Sequence, residues 1–462
     1  MMKSSSAPPE LQARKTERLR SLDGKTSVWE VFPFALQQVL AMLVTNMVPI
    51  GLIASAAVPA LSEAERLILA QNAMIAAGIA TFIQAFPLWR IGSGLPIFMG
   101  TSFTFVVPLA AIAMRQGYGT VAGAVIIGGI FEGVLGLSAK YWKRLISPIV
   151  SAVVVTAIGL SLLPTAAQSF GGGTAEDFGS MPNLLTGSAA LLTCVVWKIR
   201  TKGIHKQLAV LAGLTAGFLL SLVLGLADLS HLLDHGWVSL PKLLPVMPVF
   251  DLHTVFSICV IYIVSAAETM GDTSAFTDSL LGREISAKEI SGVLTADGFG
   301  SLIAGLFGVT PVTSYSENIG IAIMSRVANR NVAKAGAGIL ILCGLFPLIG
   351  AFLSSIPKPV LGGILLVIMG QILVSGIEMI SKAGFTARNK LITVLSLAVG
   401  IGFGEAAGQG IWAYFPILLQ SIFSKNIVSV VFATVFLLNL LLPSSLEEQH
   451  RNSSDGFKNT VL

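Results

Sequence analysis

Four carboxylates fall within 50 residues of one another in a strongly apolar part of the chain: Glu268, Asp272, Asp297 and Glu317. Glu268 and Asp272 are four apart in Ala267-Glu268-Thr269-Met270-Gly271-Asp272, which sets both on one face of a helix, about one turn from each other. Asp297 stands in Ala296-Asp297-Gly298-Phe299-Gly300, and Glu317 follows Val312-Thr313-Ser314-Tyr315-Ser316 directly. Acids so close together in a low dielectric cannot all be ionised, and the nearest base, Arg326, is expected at the end of its segment. Some of the four should therefore hold protons. Groups that exchange protons and accept hydrogen bonds from a polar ligand suit proton-coupled transport, since ionisable residues inside spans mark substrate or proton paths. Glu132 and Glu405 also interrupt apolar runs, but with no acidic neighbour they read as groups that bond a neighbouring helix.

Other chemistries lack their residues. No carboxylate and histidine set has metalloprotease or di-metal spacing, so neither a metal nor a catalytic residue is expected. A nucleophile beside a histidine and a phosphate-binding loop are also missing, so no enzyme, ATP-driven pump or cofactor-binding protein is expected. Cys194, Cys259 and Cys343 lie in apolar stretches without paired spacing and should simply pack.

The elements that must hold the acids follow from composition. The chain is 54% hydrophobic and 11% charged, where soluble domains carry about 25% charge. This excludes a water-soluble globular protein and predicts an all-α polytopic protein whose partner is the lipid bilayer. Runs near the roughly 20 residues needed to cross hydrocarbon give about fourteen spans. They fall near 31–57, 70–89, 95–114, 120–138, 146–163, 184–197, 207–227, 251–271, 290–308, 311–325, 332–354, 360–381, 390–404 and 427–442, with 411–424 too short to cross. Of 29 Lys and Arg, 16 lie in connections on the N-terminal side, 5 in the opposite connections and 8 in the tails. That asymmetry places both termini, 1–30 and 443–462, in the cytoplasm. The scatter of the basic residues argues against nucleic acid as a partner. The first 30 residues lack the pattern of a signal peptide. The 164–183 connection, with Gly171-Gly172-Gly173, reads as a flexible external loop.

The membrane domain, 31–442, carries an internal repeat. Gly100-Thr101-Ser102-Phe103-Thr104-Phe105 is similar to Val312-Thr313-Ser314-Tyr315-Ser316-Glu317, each after a Gly/Pro approach, Gly94-Leu95-Pro96 or Gly308-Val309-Thr310-Pro311. The offset is 212 residues. The two segments are the third and tenth spans, so each half, about 31–230 and 250–442, holds seven spans. An odd number forces inverted topology. Short, Gly/Pro-broken spans at matching places point to a site at the repeat interface. Their β-branched and aromatic residues favour extended backbone there.

Glu317-Asn318-Ile319-Gly320-Ile321-Ala322-Ile323-Met324-Ser325-Arg326 resembles the signature of the nucleobase-ascorbate transporter family. Supporting similarities are Leu36-Gln37-Gln38, Gly100-Thr101-Ser102-Phe103, Glu268 with Asp272, Asp297-Gly298, Pro359-Val360-Leu361-Gly362-Gly363, Arg388-Asn389 and Asn439-Leu440-Leu441-Leu442-Pro443. The resemblance implies two inverted seven-span repeats divided into core and gate domains, a homodimer, and an elevator-like shift of the core. It implies Glu268 as the main partner of a nucleobase and Glu317 as the second. Phe103 and Tyr315 would lie in two short facing strands, with Thr104, Ser316 and Asn318 beside them at the substrate, and Asp272 and Asp297 in proton coupling or core cohesion. A neutral planar base needs carboxylate acceptors, backbone donors and an apolar slot, which agrees.

Glu268 with Asp272, and Thr104 after Phe103, resemble bacterial xanthine and urate carriers, whereas Glu317 resembles uracil carriers. Gln38 stands where the family commonly has histidine. An oxidised purine, xanthine or uric acid, is the expected substrate, with uracil the alternative, and a bacterial inner membrane the expected location. An anion exchanger of the sulfate-permease type is the rival on a related architecture, but it normally carries a C-terminal domain and a site without acids.

Overall fold

The computed structural model describes residues 17–142, 147–173, 176–202, 206, 208–227, 236–404, 409–416, 419, 420, 423 and 427–443. Glu405 and most of both tails lie outside them. The chain is a mostly helical, multi-pass membrane protein. Among the described residues six helices are long and apolar enough to cross a membrane, and other apolar helices are shorter.

The first half runs through α1 (Val28–Met42), α2 (Val48–Ala56), α3 (Glu63–Ala85), β1 (Met99–Thr101), α4 (Val106–Gln116), α5 (Tyr118–Leu137), α6 (Pro148–Phe170), α7 (Met181–Arg200) and α8 (Ala209–Val223). The second contains α9 (Leu252–Phe276), α10 (Ala287–Leu306), β2 (Val312–Ser314), α11 (Ser316–Ser325), α12 (Arg330–Leu345), α13 (Pro347–Ser354), α14 (Lys358–Ala383), α15 (Ala387–Gly404) and α16 (Ile427–Leu441).

Local chemistry sets the ends. Ser62 and Glu65 form a capping box on α3, Ser286 and Glu289 one on α10, and Asp251 caps α9 by accepting from the Thr254 N–H at 2.8 Å. After α9 a π-turn over Thr277–Leu281 stops at Gly282, whose φ of 64° is left-handed and open to glycine at no steric cost.

Two expectations change. The stretch 31–57, read as one span, is two helices, because the chain turns at 43–47 before Pro49 restarts it. The 164–183 connection is shorter than read: α6 runs through Pro164 to Phe170, and the break comes at the glycines 171–173.

The helices pack in two groups. In one, α3 lies against α12, α5 against α10, α1 against α12 and α9 against α5; in the other, α6 lies against α14, α7 against α8 and α14, and α15 against α16. The first group surrounds the two strands.

Candidate functional site

β1 and β2 come from opposite halves and pair antiparallel, with Met99 opposite Ser314, Gly100 opposite Thr313 and Thr101 opposite Val312. Two further backbone bonds extend the ladder, Ser102 N–H to Pro311 C=O and Tyr315 N–H to Phe98 C=O, both 2.9 Å. So small a ribbon leaves outer edges that must be satisfied in a buried setting. Two hydroxyls and one asparagine supply the partners. Thr81 of α3 accepts from Met99 N–H at 2.9 Å, and Ser301 of α10 accepts from Val312 N–H at 3.2 Å. Asn46, in the turn between α1 and α2, accepts from Thr101 N–H at 2.8 Å, and its backbone carbonyl accepts from the Thr101 hydroxyl. Gly100 is required by contact: a Cβ there would stand 2.5 Å from the Tyr315 ring and 2.9 Å from the Asn46 amide oxygen.

Phe103 and Tyr315 are not in the strands, as the resemblance implied, but just beyond them. Phe103 opens a 3-10 turn over Phe103–Phe105 that leads into α4, and Tyr315 caps α11. The two ribbon strands thus end where two helical segments begin, and helix starts present N–H groups and the positive end of a dipole. Both rings are buried in one core cluster.

α9 passes this crossing, and its acids meet hydroxyls from both broken segments. Thr104 donates to Glu268 at 2.6 Å. Ser316 donates to Asp272. Asp297, completely buried on α10, accepts from Thr269, which in turn accepts from Ser314 at 3.0 Å. The structure therefore brings Glu268, Asp272 and Asp297 to this crossing, each bonded by a hydroxyl, from Thr104, Ser316 and Thr269 respectively.

Two further expected ligand residues have partners outside these pairs. Asn318 is buried, and its amide donates to the Gln38 carbonyl at 3.2 Å and meets the Met42 sulfur at 3.3 Å, so it ties α11 to α1. Glu317 interacts electrostatically with Lys198 of α7, a side chain from the other helix group. Arg326 was the expected nearest base; the fold instead delivers a lysine that the sequence showed only as part of a charged connection.

Glu132 also differs from its reading. It is fully buried, neither carboxyl oxygen bonds a neighbouring helix among the described residues, and it is in electrostatic range of Asp297 and Glu268. Among the described residues no three His, Cys, Asp or Glu converge as a metal cluster.

A cavity of about 710 Å³ separates α2 and α4 from the ends of α6 and α14. Val44 and Val106, which share a core cluster with Phe103, line it, together with Arg66, Arg115 and Lys358.

Comparisons with known proteins agree with this architecture. The sequence pattern of a permease family, Xan_ur_permease, matches residues 30–406. The uric acid permease PucJ of Bacillus subtilis is 30% identical over 425 residues, 89% of this chain and 93% of that protein. The xanthine permease XanQ of Escherichia coli strain K12 is 30% identical over 433 residues, 90% of this chain and 92% of that protein. Among solved structures, the murine anion transporter Slc26a9 in its inward-facing state superposes with a TM-score of 0.60 at 12% identity, covering 93% of this chain and 72% of that one, a likeness of fold alone. With a family pattern covering most of the sequence and relatives covering about nine-tenths of it, the chain belongs to the permease family of nucleobase-ascorbate transporters, and is a transporter rather than an enzyme.

Proposed function

We propose that the protein is a proton-coupled secondary carrier for nucleobase uptake, with an oxidised purine, xanthine or uric acid, as its substrate. The observation that carries this reading is the pairing of Glu268 and Asp272 with hydroxyls from opposite broken segments, Thr104 and Ser316. Glu268 is the acceptor for ring N–H groups, and Phe103 and Tyr315 supply apolar faces beside it. Asp272 and Asp297 carry the coupling proton or hold the core together. Glu317 is the second acceptor, with Lys198 as its counter-charge, and Asn318 holds α11 against α1 behind it. The relatives' names, a uric acid and a xanthine permease, favour the purine.

The transport cycle is an elevator-like movement of one helix group, the core, past the other, the gate, in a homodimer. Both termini face the cytoplasm of a bacterial inner membrane. The chain is arranged as about fourteen segments in two inverted repeats of seven. Contact symmetry supports that arrangement. Advancing each segment by seven exchanges the pair α3 and α12 with the pair α10 and α5, exchanges α1 and α12 with α9 and α5, and returns α6 with α14 and β1 with β2 to themselves. The cavity lies between the two groups, where a sliding core would expose the substrate.

Competition decides the substrate. Labelled xanthine uptake in a transport-deficient host should be competed by urate and not by ascorbate; if nothing competes and no uptake occurs, the purine reading fails. Competition by uracil alone would make the protein the uracil carrier that Glu317 resembles. An anion exchanger has the weaker support, since the likeness to an anion transporter is one of fold at 12% identity, whereas the uric acid and xanthine permeases are 30% identical.

A further inference from the structure

α5 and α10 touch backbone to backbone. A Cβ at Gly298 would collide with Gly133 and stand 2.6 Å from the Gly129 carbonyl, one at Gly129 would stand 2.5 Å from Leu302 N, and one at Gly136 would stand 2.6 Å from Thr295 N. Glu132 lies between Gly129 and Gly136 on this seam, level with Asp297 and Gly298 of the facing helix. It has no solvent exposure, and both its oxygens lack a hydrogen-bond partner among the described residues. Asp297 accepts from the Thr269 hydroxyl and has the Ser314 N–H in reach, while its second oxygen, Oδ1, makes no hydrogen bond among the described residues.

A buried carboxylate with no donor would be far more costly than a neutral acid, whereas one oxygen of Asp297 already has a hydroxyl to support a charge. Close acids on one seam share the ionisation between them. Among the described residues, the titratable groups that reach Glu132 are acids and one phenol. α10 presents Asp297; α9 presents Glu268 and the buried Tyr262, whose hydroxyl donates to Val125 C=O at 3.3 Å. α4 carries only Arg115, beside the opposite end of α5, and the short helix Ala139–Trp142 carries Lys140 and Tyr141, both exposed.

We propose that Glu132 is a third proton-holding carboxyl of the carrier, set behind the substrate site and exchanging its proton with Asp297. The O–H bond at Glu132 breaks, one forms on Oδ1 of Asp297, and the negative charge moves the other way, to Glu132. The proton then has a resting place that neither substrate nor Glu268 occupies. This rests on the proton-coupled reading above.

The test is uptake of labelled purine by the full-length carrier in proteoliposomes, with and without an inwardly directed proton gradient, beside gradient-free counterflow. Glu132→Gln keeps the shape of the neutral acid but cannot give up a proton. It should keep counterflow within about threefold of the parent and lose gradient-driven accumulation by about tenfold or more. Accumulation and pH profile equal to the parent's would overturn the proposal. Should the Gln variant fail to fold, Glu132→Asp decides: a displaced pH midpoint of uptake supports the relay, and an unmoved one overturns it. If the parent does not respond to the gradient, the proton-coupled reading fails before Glu132 is reached, and this proposal with it.

Discussion

The Thr104 hydroxyl donates to the Glu268 carboxylate across 2.6 Å, joining residues 164 positions apart in the chain at the point where the first broken segment meets α9. A carboxylate held by one hydroxyl keeps its remaining lone pairs for a ligand and has its direction fixed. Glu268→Gln removes the charged acceptor and should nearly abolish uptake while leaving the folded protein in the membrane, as surface labelling and thermal melting would report. Saturable uptake at the parental rate would remove Glu268 from the site. Thr104→Val should weaken transport by roughly 10- to 100-fold, the range for losing a hydrogen bond to a charged group, and Thr104→Ser should restore most of it.

Ser316 and Asp272 repeat this arrangement from the second segment. Asp272→Asn keeps the size of the side chain and the acceptor for Ser316 but cannot release a proton. Binding should persist and accumulation against a gradient should stop. Purine binding measured by thermal shift, beside uptake under an imposed pH gradient, separates the two effects. Accumulation at the parental level would show that Asp272 does not carry the coupling proton.

The acids and the breaks were legible in the sequence because both are local signals: a carboxylate in an apolar run has few benign explanations, and Gly and Pro interrupt a span wherever they fall. The groups that orient them were not. Asn46, Thr81, Thr269 and Ser301 are small neutral polar residues of a kind scattered through membrane helices, and only the fold shows that they satisfy β1, β2 and Asp297. Lys198 was hidden for another reason. Beside Arg200, Lys202 and Lys206 it reads as a topology signal, and its approach to Glu317 depends on packing between helices more than a hundred residues apart. A motif gives position and not direction, so the tie from the Asn318 amide to the Gln38 carbonyl was not legible either.

Gly100 tests whether the ribbon must be this tight. A methyl group there meets the Tyr315 ring and the Asn46 amide, which are themselves fixed by β2 and by Thr101. Overpacking a fixed site costs about 1–3 kcal/mol, so Gly100→Ala should lower the melting temperature and cut uptake more than expression. Unchanged melting and transport would mean that the two strands can separate freely.

The cavity between the helix groups makes a prediction about how substrate arrives. Arg66, Arg115 and Lys358 all line it and are exposed, and all three belong to connections expected on the outer side of the membrane. Urate is a monoanion at neutral pH and uracil is neutral, so only urate should feel these charges on approach. Steering by like-signed charges around a cleft raises association rates by about tenfold or more at low ionic strength, and exposed charges beyond about 8 Å are largely screened at physiological salt. Replacing all three by glutamine should therefore lower kcat/KM for urate by about 5- to 10-fold in low-salt buffer and by less than about twofold near 0.15 M salt, with KM carrying the change. Competing uracil should be unaffected at either salt. Equal losses for both solutes would mark the three side chains as structural, and no loss for urate would place its route elsewhere.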